Sequence, residues 1–299
     1  ASYFFGCLMS VKPKQNIPRL IAVIFISLVA WIIFSTAMPS VNALTIIRKY
    51  IPPGEQFEFD GIRVTAGHAP KNTVGAGNLV EVFDAAADSW ERAIKDEHTV
   101  TIQFGWSPIP VGNGVHNVRF QTGIPNRVTE AIVYVDNDGS TRWFLDPTPQ
   151  EHSEYQTVIE CFVALGGGPV NSGYVLSGHS ASAQALDLLT IAKHEIGHSI
   201  ALSTWNYLWV TKQADRGILV NPPRPFSGSL IPVNSGGHLR LLGALMDSSL
   251  LPGQRKHISV VDVLAIAEVG EFIDLNLDPE TNPIANSDLD KEKARPGCG

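Results

Sequence analysis

Leu188-Leu189-Thr190-Ile191-Ala192-Lys193-His194-Glu195-Ile196-Gly197-His198-Ser199-Ile200-Ala201-Leu202 is the stretch on which the reading of this chain turns. Leu188, Leu189, Ile191 and Ile196 run through it as the apolar residues of a helix. Ser180 or Ser182 can cap its start, so the sequence predicts a long helix from there to about Leu202. His194 and His198 stand four residues apart, so on a helix both imidazoles leave one face and can grip one metal ion. Glu195, beside the first histidine, can reach a water at that metal without ligating it. The bland alternative is a pair of surface histidines on an amphipathic helix, and the apolar setting argues against it.

A catalytic zinc takes three protein ligands and leaves one position open. Candidates for the third are His238, Glu268, Asp215, Asp247 and His257. Glu268 would suit a thermolysin-like arrangement, in which a glutamate on a later helix completes the site. His238 stands in Gly236-Gly237-His238-Leu239-Arg240-Leu241-Leu242-Gly243-Ala244-Leu245-Met246-Asp247, eight residues before a methionine, with a final helix expected from Ser259 to Val269. This run resembles the metzincin peptidases, in which a methionine turn lies beneath the zinc and a C-terminal helix closes the domain. The compact metzincin pattern is not met. It would put a glycine at position 201 and a histidine at 204, where this chain has Ala201 and Thr204.

The chain is more similar to leishmanolysin-like enzymes and related bacterial secreted metalloproteases, in which an insertion separates the helix from the third histidine. That resemblance covers roughly Leu79 to Val269 and includes Trp143-Phe144-Leu145-Asp146-Pro147-Thr148-Pro149. It implies a metzincin-like α+β fold: a mixed twisted sheet, an active-site helix, a long insertion at 199–237, a methionine turn and a C-terminal helix. It also implies His238 as third ligand to one catalytic zinc ion, with Glu195 as general base for peptide-bond hydrolysis. Some metzincins supply an oxyanion-stabilising tyrosine after the methionine turn, but no tyrosine follows Met246 here.

Outward from the site, Leu79 to Ile94 reads as a helix with Val80, Phe83, Ala87, Trp90 and Ile94 on one face. Strands are expected at 61–66, 99–104, 118–121 and 131–135, the last closed by the turn residues Asp136-Asn137-Asp138-Gly139. Ala131 to Val135 is a candidate edge for an extended peptide substrate. The segment 145–178, with Pro147, Pro149, Gly166-Gly167-Gly168 and Pro169, reads as loop, as does 203–237, which could act as a lid. His68, His98, His116 and His152 lack ligand spacing and read as surface residues, and His179 as a loop or cap residue. Calcium has weak candidates in Asp136-Asn137-Asp138-Gly139 and in Asp274, Asn276 and Asp278. Neither set has a full calcium loop, and turn chemistry explains both better.

The 299 residues carry a net charge of −7 with no basic stripe, which gives a nucleic-acid partner no electrostatic support. Lys12, Lys14 and Arg19 precede an apolar run from Ile21 to Ala37 and then Val41-Asn42-Ala43, the pattern of a secretory signal in 1–43. Met9 is a candidate start, which places 1–8 upstream of it. The alternative is an uncleaved membrane anchor. These boundaries leave 44–275 as a catalytic domain and 276–299 as an acidic, disordered tail. Cys161 and Cys298 remain after cleavage, and an oxidising compartment permits them to pair. The expected protein is a secreted, monomeric zinc endopeptidase acting on peptide or protein substrates. The rival is a secreted zinc-containing binding or adhesion module without turnover.

Overall fold

In the computed structural model, residues 43–212, 217–280 and 295–296 are described. The expected signal or anchor segment lies outside them, apart from Ala43. In chain order the first part consists of β1 (Leu44–Tyr50), β2 (Gln56–Phe59), β3 (Ile62–Thr65), α1 (Leu79–Ala93), β4 (His98–Ser107), β5 (Gly114–Thr122) and β6 (Arg127–Asp136). The fold class is α+β.

The main sheet runs β1-β4-β6-β5. β1, β4 and β6 are parallel, and β5 returns antiparallel to β6. Strands paired on both sides and covered by helices become continuously apolar. β6 accordingly buries its last six residues, Ala131 to Asp136. This overturns the expectation that Ala131–Val135 offers a free edge. β6 pairs with β4 through Val133↔Phe104 and with β5 through Val133↔His116, so no backbone group there is open to a peptide. The exposed edges are β1 and β5.

α1 lies on this sheet. Asn78 caps it, its side chain accepting the Glu81 N–H at 3.0 Å. Leu79, Val82, Phe83, Ala86, Trp90 and Ala93 form its buried face. Val80, expected on that face, is exposed, and Val82 takes its place. Phe83 stacks on Phe104 of β4 at 3.9 Å, and the Trp90 indole N–H donates to the Lys193 carbonyl at 2.8 Å, which ties α1 to the histidine helix.

The second part holds β7 (Trp143–Phe144), β8 (Tyr155–Ala164), β9 (Pro169–Gly178), β10 (Leu186–Asp187), α2 (Leu188–Ile200), α3 (Tyr207–Lys212), β11 (Ile218–Leu219), β12 (Leu230–Ile231), β13 (Gln254–His257), α4 (Val260–Gly270) and β14 (Arg295–Pro296). The stretch 145–178, expected to be loop, contains the long antiparallel hairpin β8–β9. Its glycine run is the hairpin turn itself: Gly166 and Gly168 take positive φ, which only glycine adopts without strain. This sheet is ordered β13-β9-β8-β14. Cys161 on β8 is disulfide-bonded, and Cys298 lies outside the described residues.

α2 begins at Leu188 rather than near Ser180 or Ser182. Ser180 has a positive φ of 54°, Ser182–Gln184 forms only a short 3₁₀ turn, and Leu186–Asp187 pairs with β7 in parallel, so the α-helix starts only after Asp187. Asp187 is the cap. Its Oδ2 accepts the Thr190 backbone N–H at 3.1 Å and the Thr190 hydroxyl at 2.7 Å. Arg255, fully buried, donates to Asp187 at 2.8 and 2.9 Å and to Asp146 at 2.6 Å, while its guanidinium lies 4.3 Å over the Tyr155 ring. Asp146 comes from the Trp143–Pro149 segment, so that segment fixes the start of the histidine helix.

The fold also continues past the boundary expected at 275. Asn276 donates its backbone N–H to Ala93, and Glu280 is buried against Lys193 of α2 at 2.6 Å and against His257. Burial raises the Glu280 pKa, but His257 and Lys193 outweigh it and hold the carboxyl well below its usual range. His152 lies over His257 at 4.5 Å, so it is packed rather than a surface residue.

Removing one partner of a buried ion pair strands the other charge, at about 3–5 kcal/mol. Arg255→Ala, which leaves the buried Asp146 and Asp187 carboxylates without their cation, is therefore expected to lower the unfolding free energy by about that amount in urea denaturation. A loss under about 1 kcal/mol, the size of an exposed pair, would contradict the role given to Arg255.

Candidate metal centre

All 13 residues of α2 are buried, including Lys193, His194, Glu195 and His198. The structure brings His238 to the helix. His194 Nε2 lies 2.9 Å from His198 Nε2, which lies 3.3 Å from His238 Nε2. The other ring nitrogen of each faces a backbone carbonyl. His194 Nδ1 donates to Leu245 at 2.8 Å, His198 Nδ1 to Leu202, and His238 Nδ1 to Ser235 at 3.0 Å. A carbonyl can only accept, so each proton sits on Nδ1 and each Nε2 presents a lone pair.

Three lone pairs this close repel one another unless a cation lies between them. The carbonyl-bonded Nδ1 is the usual outer support of a metal-ligating histidine. Burial lowers the pKa of His194 and lowers that of His198 further, which favours the neutral form that ligates. The donor set therefore fits a divalent metal.

The rest of the site is built from the loop before α4 (Val260–Gly270). Asp262 Oδ1 accepts the Met246 N–H at 2.9 Å, and its Oδ2 accepts the Leu245 N–H at 3.0 Å and the Ser259 N–H at 2.9 Å. One buried carboxylate thus caps the last helix and holds the turn that supplies the carbonyl to His194. Burial raises the Asp262 pKa against these hydrogen bonds. Met246 is fully buried under α2, so close to Gly197 that a side chain there would meet its sulfur. Leu239 N–H to Met246 O at 2.8 Å closes the loop behind His238.

The remaining third-ligand candidates are used elsewhere. Glu268 accepts from the Asn221 backbone at 2.8 Å and pairs with Arg224 at 3.0 Å, so it anchors the insertion. His257 belongs to the Glu280 cluster. Asp247 accepts from the Ser249 backbone at 2.9 Å and lies 3.5 Å from Lys256, lining the cleft without joining the three imidazoles. Asp215 lies outside the described residues. The calcium candidates are occupied by turn bonds: Asp138 Oδ1 accepts the Ser140 N–H at 2.7 Å, and Asn276 Oδ1 the Asp278 N–H at 3.1 Å.

Beside the cluster is a cleft of about 260 Å³ lined by Gly114 of β5, Ile191, His194, Glu195, His238 and Lys256, among others. The Glu195 carboxylate faces β5, and Gly114 leaves it room: a side chain there would meet Glu195 Oε1 and Ile191.

His116, expected at the surface, is the functional neighbour that spacing missed. It lies on β5, only 13% exposed, with Nδ1 3.2 Å from Glu195 Oε2 and its ring stacked on His198 at 4.4 Å. No fixed offset relates position 116 to 195, and only the sheet pairing brings them together. His98 is also half-buried, bonded to the Val128 carbonyl at 2.6 Å.

The chain matches no protein-family model, no curated protein and no solved structure in these comparisons.

Gly237 precedes His238 at a positive φ of 86°, and a Cβ there would collide with the Leu202 carbonyl that supports His198. Gly237→Ala is expected to weaken divalent-metal binding by about 10–100-fold, the usual cost of disturbing a ligand's outer support. Chelator-competition titration checks this, and an unchanged affinity would show that the loop does not position His238.

Proposed function

We propose that the protein is a zinc-dependent endopeptidase of the metzincin type, most similar to leishmanolysin-like enzymes. The observation that carries the reading is the set of three imidazoles whose Nε2 atoms converge on one point, with a carboxylate beside them and a cleft in front. Three histidines without a fourth protein ligand suit a zinc that must keep a position open. Support also comes from Met246 beneath the site, from the helix that follows it, and from the insertion between His198 and His238.

Zinc held there would lower the pKa of a water and polarise the scissile carbonyl. The chain's own contribution begins with Glu195, which takes a proton from the attacking water and passes it to the leaving amine. β5 begins at the cleft as a sheet edge, so an extended substrate would pair with its backbone at Gly114 and Val115. Gly112, Asn113 and Gly114 line that wall, and the two glycines, lacking side chains, allow a peptide to approach closely. Asp247, Ser249, Leu250 and Lys256 also line the cleft, and among the described residues none of its lining comes from α3, β11 or β12 of the insertion. The insertion is pinned to β5 because Gln121 donates to the Trp205 carbonyl at 2.8 Å and accepts the Tyr207 N–H at 2.9 Å.

The disulfide at Cys161 supports an oxidising compartment, in keeping with the secretory signal read in 1–43. Among the described residues no helix is long and apolar enough to cross a membrane.

Glu195→Gln tests the activity. It keeps the shape of the side chain and removes its basicity, so zinc stoichiometry should hold while hydrolysis of denatured casein falls by at least about 10²–10⁴-fold. If zinc-loaded wild-type protein cleaves neither casein nor a mixed peptide library, the reading gives way to a secreted zinc-containing binding module.

A further inference from the structure

Glu195 is held from behind by a hydrogen-bond chain whose direction can be worked out atom by atom. Ser203 is the first residue of the insertion beyond Leu202 and is fully buried. Its Oγ accepts the backbone N–H of Trp205 at 3.1 Å. Its hydroxyl proton then needs an acceptor, since an unsatisfied buried donor costs about 1–3 kcal/mol. The atom available is His116 Nε2, 2.7 Å away. If His116 Nε2 accepts, a neutral His116 carries its proton on Nδ1, and Nδ1 faces Glu195 Oε2 at 3.2 Å. A carboxylate only accepts, so this final bond has the same direction.

We propose that His116 is a positioning residue for the general base, and that Ser203 sets its tautomer so that the imidazole donates to Glu195. The assignment rests on the peptidase reading and deepens it. The chain Trp205 N–H to Ser203 to His116 to Glu195 occupies one oxygen of the carboxylate and fixes its plane. Oε1, on the side of Gly114, remains for the water and the leaving amine. His116 does not touch substrate; it acts through Glu195.

The arrangement also links the base to the insertion. Ser203 and Trp205 belong to the segment that Gln121 pins to β5, the strand that carries His116. Seating the insertion on the sheet edge therefore completes the base. This gives the 203–206 segment a function separate from carrying the chain across to His238.

Five proteins test this: wild type, His116→Ala, His116→Asn, Ser203→Ala and the Ser203→Ala/His116→Ala double variant, each with zinc content measured beside kcat and KM on a peptide that wild type cleaves. His116→Ala is expected to lower kcat by about 10–100-fold, the range seen when an outer hydrogen-bond partner is lost, with KM and zinc content unchanged. His116→Asn places an amide N–H near the Nδ1 position and should recover most of the loss. The Ser203→Ala/His116→Ala double variant should be no slower than His116→Ala, because the two act as one chain.

Histidine ¹⁵N–¹H spectra give a reading independent of turnover, in which His116 is expected as the Nδ1–H tautomer. Wild-type rates in His116→Ala, loss of zinc from that variant, no recovery with asparagine, or an Nε2–H tautomer would each overturn the proposal. An inactive wild type would instead remove the peptidase reading beneath it, and the tautomer would still report whether the hydrogen-bond chain exists.

Discussion

Three imidazole nitrogens with their lone pairs facing one another, 2.9 and 3.3 Å apart, are the constraint from which the rest of this structure is best understood. Such a cluster opposes folding unless a cation joins it, because each Nδ1 proton is already committed to a carbonyl. The protein must hold these rings in place against that repulsion. It does so by fixing the two backbones that carry them, and the polar groups it buries serve that purpose.

The helix that carries His194 and His198 is anchored at several places. Asp187, gripped by Arg255 and backed by Asp146, sets its first turn. Trp90 donates to the carbonyl of Lys193, and the Lys193 ammonium is paired with Glu280 from beyond the last helix. The loop that carries His238 is held by Asp262, whose two oxygens serve Leu245, Met246 and Ser259 together. Buried ion pairs contribute little net stability when compared with apolar packing of the same volume, but their geometry is specific. Here that geometry registers one helix against one turn.

What could be read from the sequence follows from the range of the interactions. The four-residue spacing of His194 and His198 is a property of a single helix, so the pairing of those rings was legible locally. The facing of His238 was not, because it depends on how 39 intervening residues fold back, and only the resemblance to an insertion-bearing family pointed to it. The hairpin Tyr155–Gly178 was missed because its strands alternate weakly and its glycine run looks like loop when it is in fact the turn. Ala131–Val135 was correctly a strand but wrongly an edge, since pairing partners are a matter of topology and not of composition. His116 and Glu280 stayed hidden for the same reason. Each is ordinary in its own segment and acquires a role only across the sheet or from the chain end. Ser259, expected at the start of the final helix, was more accessible, because a cap and its helix are neighbours in sequence.

The site as a whole joins a helix, a turn and a strand from three separate parts of the chain, and the metal would link the first two through His194, His198 and His238. Metal analysis of wild-type protein beside His238→Ala addresses this most directly. One zinc per chain in the wild type and loss of stoichiometric zinc in a variant that still folds is the predicted result. Full retention of zinc by His238→Ala would contradict the account, because the helix pair would then be completed by some other group.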